Sequence, residues 1–149
     1  NDLKKKAAEL IIRINEVAYN NNLSVTETET LNDTIFGIDE LYSKLLILEL
    51  TGKNKYQHQI IDLDSVMRCT LQKNNRSVYE KGNSGQISDV FVEQVNLLFE
   101  FADNQEPYEF IFYKHIVDHI FELPQLEQKA VKWQSLISKK IKKTLRRIA

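Results

Sequence analysis

The apolar residues of this chain keep two different periods, and the positions where the period changes limit what it can fold into. From Thr34 to Tyr113 hydrophobic residues return at every second position in most segments, whereas at both ends they return every third or fourth. Period two puts side chains on alternate faces of an extended strand, and the longer spacing puts them on one stripe of a helix. The expected product is of the α+β class and mainly β. It is an antiparallel bent sheet or partly open barrel of six or seven strands, with an N-terminal helix and a C-terminal capping helix.

The first helix is expected from Asp2 to about Tyr19, where Leu3, Ala7, Leu10, Ile11, Ile14, Val17 and Ala18 share a face. Asn20, Asn21 and Asn22 end it, because asparagine tolerates left-handed backbone, so residues 1–22 form the N-terminal helical segment. Ser24 to Thr30 is a polar connector with the threonine content of an edge strand. Thr34–Asp39 and Lys44–Leu50 are then strands joined through Glu40–Ser43. Thr51–Lys55 is a turn in which Gly52 and Asn54 supply permissive backbone. Beyond it Ile61, Leu63, Ser65, Met67, Cys69 and Leu71 alternate with Asp62, Asp64, Val66, Arg68, Thr70 and Gln72, one face buried and the other wet. So long a run needs a bend near Asp64 and Ser65.

Lys73 to Ser88, rich in Asn, Ser and Gly, reads as a mobile loop with a short strand around Ser77–Glu80. Alternation resumes from Val90 to Phe101, with Val95, Leu97, Phe99 and Phe101 inward and Asn96 and Glu100 outward. Ala102–Pro107 turns the chain into the aromatic strand Tyr108–Tyr113. His115–Leu123 reads equally as a helical turn or a linker. Pro124 suits a first helical turn, and Leu126, Ala130, Trp133, Ile137, Ile141, Leu145 and Ile148 follow helical spacing, which predicts a helix over 124–147.

With 149 residues, 42% of them hydrophobic and 28% charged, the chain has the balance of one globular domain. Its lone cysteine, Cys69, cannot close an internal disulfide. No run approaches the 18 or so apolar residues of a membrane span. The chain opens on Asn1 and soon reaches Lys4, Lys5 and Lys6, the kind of cytoplasmic flank that a membrane anchor upstream would carry. Charge is unevenly spread. Lys139, Lys140, Lys142, Lys143, Arg146 and Arg147 crowd the last positions with no acid among them. Removing those six from the 20 basic residues leaves 14 against 21 acids, a balance of −7 for the rest.

The order of short antiparallel strands followed by one amphipathic helix resembles the pleckstrin-homology-like superfold, and the texture is similar to its bacterial members. The resemblance rests on Ile35-Phe36-Gly37-Ile38-Asp39 turning into Lys44-Leu45-Leu46-Ile47-Leu48, on Ile60-Ile61-Asp62-Leu63 leading into Val66, and on Phe112-Tyr113 before the helix of Trp133. It covers Thr34 to about Lys143, so residues 34–149 would form the domain. It implies a bent sheet plugged by the last helix and a binding or scaffolding role. Phosphoinositide binding is not implied, because the first hairpin reads Asp39-Glu40-Leu41-Tyr42-Ser43-Lys44, one lysine beside two acids.

The chemistry-bearing residues form no enzyme motif: there is no Gly-rich phosphate loop, serine elbow or Cys-x-x-Cys pair. His115 and His119 would share a face if their segment were helical and could hold a metal with Asp118 or Glu122, although the glutamate base of a zinc protease is missing between them. Asp62 and Asp64 would share a strand face, facing solvent. Cys69, in an apolar register, is a small hydrophobe. The basic C-terminal run is the strongest signal, suited to an anionic membrane surface but also to simple complementation of a helix dipole. The acidic remainder argues against nucleic acid. The expectation is a non-enzymatic adaptor without metal or cofactor, cytoplasmic, working near a membrane with a protein or an anionic surface as partner. The alternatives are a small metal-binding protein or enzyme using His115 and His119, and a self-associating domain in which the stripe of Leu3, Ala7, Leu10, Ile14 and Val17 meets a second copy.

Overall fold

The computed structural model describes residues 2–79 and 86–148, with only the backbone described at residues 2, 88 and 142–148. Two helices bracket seven strands: α1 (Asp2–Asn20), β1 (Glu27–Leu31), β2 (Thr34–Asp39), β3 (Lys44–Gly52), β4 (Lys55–Asp62), β5 (Val66–Tyr79), β6 (Ile87–Phe101), β7 (Tyr108–Lys114) and α2 (Leu123–Ile148). The α+β, mainly β class and the helix at each end are as expected. The strands pair as two open antiparallel sheets, β1-β2-β3-β4 and β5-β6-β7, rather than as one. The chain divides accordingly into compact units of residues 1–64 and 65–149, each with its own helix. The break lies where the long alternating run was expected to bend, because Leu63–Ser65 forms a 3-10 turn that ends the extended backbone.

In the first unit α1 covers one face of the four-stranded sheet. Leu10, Ile14 and Ala18 pack with Ile35, Leu46 and Leu48 into a buried cluster, edged by Val17, Leu23, Val25, Leu50, Tyr56 and Ile60. The stripe considered for a second copy is therefore largely spent on the chain's own sheet, although Leu3 stays exposed. Asn22 takes left-handed backbone (φ 57°), and Leu23 N–H reaches back to Ala18 C=O at 2.8 Å to close the helix. The connector after it does add an edge strand, β1. Tight two-residue turns join β1 to β2 and β3 to β4, with Asn32 and Asn54 in left-handed backbone.

The β2–β3 turn is organised by Asp39, a buried carboxylate that accepts hydrogen bonds from Ser24 N–H at 2.7 Å and Tyr42 N–H at 2.8 Å. Its one lysine, Lys44, is paired with Asp62 at 3.1 Å. Gly37 is required by crowding: a Cβ there would lie 2.5 Å from Val25 Cγ1 and 3.2 Å from Glu27 C=O.

In the second unit α2 lies over the three-stranded sheet, touching all of its strands. Leu126, Ala130, Trp133, Ile137 and Ile141 are buried, with Trp133 and Ala130 fully so. They meet a face built from cross-strand pairs such as Cys69 with Phe99, Leu71 with Leu97, and Leu97 with Phe110. Gln134 donates to Cys69 C=O at 3.2 Å, and Lys73 pairs with Glu127 at 3.0 Å.

Three local expectations are corrected. Lys73–Arg76 continues β5 rather than forming a loop, because β6 runs beside it, and the short strand expected around Ser77–Glu80 is the end of the same strand at Ser77–Tyr79; residues 80–85 of the expected loop lie outside the described residues. Met67 is exposed and Val66 buried, the reverse of the simple alternation, since the 3-10 turn and a bulge between Val66 and Arg68 reset the phase. Asn96, expected in solvent, is fully buried, its amide donating to Gln72 at 2.9 Å and its carbonyl accepting from Gln94 at 3.2 Å.

Replacing Trp133 with alanine empties the centre of the α2 contact. Unfolding in urea should show a loss of about 3–5 kcal/mol, against less than about 0.5 kcal/mol for Ser135→Ala on the exposed side of the same helix.

Candidate docking surface

The connection between β7 and α2 is held by its own backbone and by two side chains. At the end of β7 the Asp118 carboxylate accepts from Lys114 N–H at 2.8 Å, while Val117 and Asp118 N–H return to Lys114 C=O at 3.0 and 2.8 Å. His115 N–H donates to Glu93 C=O of β6 at 2.9 Å, and the His115 ring lies against Phe91 with centroids 4.5 Å apart. His119 then caps the 3-10 turn Ile120–Glu122: its Nδ1 accepts from Phe121 N–H at 3.2 Å, and its ring stacks on Phe121.

This ordered connection points apolar side chains outward. Ile116 is 85% exposed, Val117 71% and Phe121 86%, with Ile120 also exposed. Single exposed apolar residues are ordinary, but four within six positions, on backbone fixed by hydrogen bonds, form a surface that no described residue covers. The far half of the β5–β6 hairpin adds exposed Val78, Tyr79, Ile87 and Val90. No lysine or arginine occurs at 87–93 or 115–122, where the charged residues are Asp89, Glu93, Asp118 and Glu122. The surface is apolar with acids at its rim, of which Glu93 is paired with Arg76 of β5 at 3.2 Å.

The residues singled out by spacing form no shared site. His115 and His119 are not on a helix, so the shared face required for a metal pair is missing. One ring packs on Phe91 and the other caps a turn. Among the described residues no three His, Cys, Asp or Glu side chains converge as metal ligands would. Asp62 and Asp64 do not share a strand face either. Asp62 ends β4, pairs with Lys44 and accepts the N–H of Asp64, which belongs to the 3-10 turn. Cys69 is buried, and desolvation pushes its thiol up to about 12. The Tyr113 hydroxyl is buried without a hydrogen-bond partner, and burial with the nearby Asp118 carboxylate raises its pKa.

Of the basic run, Lys139 is exposed and Lys140 half-buried on α2. The side chains of Lys142, Lys143, Arg146 and Arg147 lie outside the described residues, although the backbone there is helical through Ile148. Among the described residues no helix is long and apolar enough to cross a membrane. Ile116, Val117, Ile120 and Phe121 carried no periodic signal in the sequence. Their trace was only an apolar cluster in a segment that fitted neither period and stood just before Pro124.

No family model, curated protein or solved structure matches this chain.

Cys69 should resist alkylation by iodoacetamide at pH 8 in the folded protein and react readily in 8 M urea, as mass spectrometry of the trapped adducts will show. The neutral thiol's contribution to stability is fully present below the ordinary thiol value of 9.0 and is lost as pH rises toward about 12, because only the unfolded chain ionises in that window.

Proposed function

We propose that the chain is a non-enzymatic binding module that docks a protein partner through the β7–α2 connection. The observation that carries this reading is the ordered, outward display of Ile116, Val117 and Phe121. Covering one such side chain completely stabilises by about 1.5–3 kcal/mol. Among the described residues nothing covers these side chains, so the gain is open to a partner that does. The acidic rim favours a protein over an anionic bilayer at this surface, since Asp89, Asp118 and Glu122 would be repelled by phosphate headgroups.

The order of four strands, three strands and a final helix supports the pleckstrin-homology-like reading. Catalysis at His115 and His119 lacks comparable support, because both rings have structural tasks. A second reading attaches to the other end of α2. Lys139 stands sixteen residues after Leu123, about 24 Å along the helix axis, so the basic run serves a different surface from the apolar connection. There each basic residue would add about 1 kcal/mol at an anionic, cytoplasmic membrane face.

The triple substitution Ile116→Ser, Val117→Ser, Phe121→Ser should leave circular dichroism and urea stability nearly unchanged, because it alters exposed side chains. It should abolish the partners that cross-link to the wild-type chain in cells; an unchanged set of partners would remove this surface from the function. For the second reading, Lys139→Glu with Lys140→Glu should lower flotation with phosphatidylserine vesicles, and equal flotation counts against it.

A further inference from the structure

The strands of the second unit differ in length, and the mismatch leaves part of β6 with a neighbour on one side. β6 has 15 residues and β7 has 7, and β7 pairs with β6 between Gln94 and Phe99. His115 N–H to Glu93 C=O adds one more bond beyond the end of β7. From Val92 toward Ile87 the strand continues, paired with β5 on its other side from Asn75–Val92 to Tyr79–Ile87. Among the described residues no strand follows β7 along this stretch. In this stretch Val90 N–H donates to the Asp89 carboxylate at 2.8 Å, and the remaining outward N–H and C=O groups form an open ladder that water or another strand must satisfy.

Native edge strands are usually blunted by charged or polar side chains. β1 follows that rule with Glu27, Thr28, Glu29 and Thr30, and β4 with Lys55, Gln57, His58 and Gln59. The open stretch of β6 follows it only in part, with Ser88, Asp89 and a bulge between the Val78–Asp89 and Tyr79–Ile87 pairs. It carries Ile87, Val90, Phe91 and Val92, of which Ile87 and Val90 are more than half exposed. The β7–α2 connection leaves β6 at Glu93 and displays Ile116 and Val117 beside its start. An open backbone ladder, apolar side chains and an acidic rim thus coincide at one place in the second unit.

We infer that this place takes an extended peptide of a partner, added as a strand along β6 between Ile87 and Val92, with apolar residues at alternate positions and basic residues at its flanks. A strand is the occupant because its backbone groups repeat at the spacing of the open ladder, which a docked helix would leave unsatisfied. Glu93 is paired with Arg76 of β5 at 3.2 Å and the Asp118 carboxylate holds Lys114 N–H, so it is Asp89 and Glu122 that select for positive charge in the peptide. A bilayer would meet the same acids and the same open amides unfavourably. This inference rests on the docking role of the β7–α2 connection and adds the class of ligand.

Random twelve-residue peptides displayed on phage and selected on the immobilised full chain test it. Enriched peptides should alternate apolar residues and carry excess lysine or arginine, and their binding should weaken as salt is raised. When a synthetic copy of an enriched peptide binds, hydrogen exchange of the Ile87–Val92 amides should slow. N-methylation of its alternate amides in one register should weaken binding at least about tenfold, and in the other register hardly at all. Failure to enrich any peptide overturns the inference, as does binding that survives methylation in both registers. In the latter case a further comparison separates the two ideas: if Ile116→Ser with Phe121→Ser still weakens the peptide, docking at the connection stands without strand addition, and if it does not, both fail.

Discussion

An open sheet with one greasy face is unstable in water until something lies on that face, and in each unit of this chain a single amphipathic helix does so. For the second unit the decisive contact is the Trp133 stripe of α2 over β5, β6 and β7. A fully buried tryptophan at the centre of such a contact fixes the helix laterally, and Gln134 to Cys69 and Lys73 to Glu127 fix it along its length. The consequence reaches beyond stability. With α2 anchored at one end of the connection and Lys114 of β7 bonded at the other, the residues between them are held, and their apolar side chains have no inward route.

Polar groups taken out of water are compensated locally. Asp39 gathers two backbone donors and so shapes the β2–β3 turn, which leaves its carboxylate for structure rather than for ligand. Asn96 is bonded to Gln72 and Gln94, and Gln94 also reaches Glu109 at 2.7 Å, so one polar run crosses from β5 through β6 to β7. Such a run favours one register of the three strands, because a slip by one residue would bury unpaired amides. That register leaves β6 longer than its β7 partner. The Tyr113 hydroxyl is the exception among the described side chains, buried and unpaired, and the structure offers no compensation for it.

Charge follows the same separation along α2. Acids surround the connection before the helix and basic residues gather toward its far end, about 24 Å or more away. Two surfaces of opposite sign on one rigid element suit two different partners better than one. The apolar end, where no described residue covers the ordered side chains, is the one to which the proposed docking belongs.

The periods in the sequence were enough to determine both helices, the alternating strands, the hairpin at Glu40–Ser43 and the bend at Asp64 and Ser65, because amphipathic spacing and turn chemistry are local. The same reasoning misjudged Met67, Lys73–Arg76 and Asn96. A bulge, a 3-10 turn and a cross-strand amide pair each depend on which strand lies alongside, and no single segment records its neighbour. Tertiary structure alone decided that seven strands divide into two sheets, that β7 is too short to cover β6, and that His115 and His119 serve a ring contact and a cap. It also decided that Ile116, Val117 and Phe121 face outward: burial is a property of what surrounds a residue, and an apolar residue in a connection carries no period to say which way it will point.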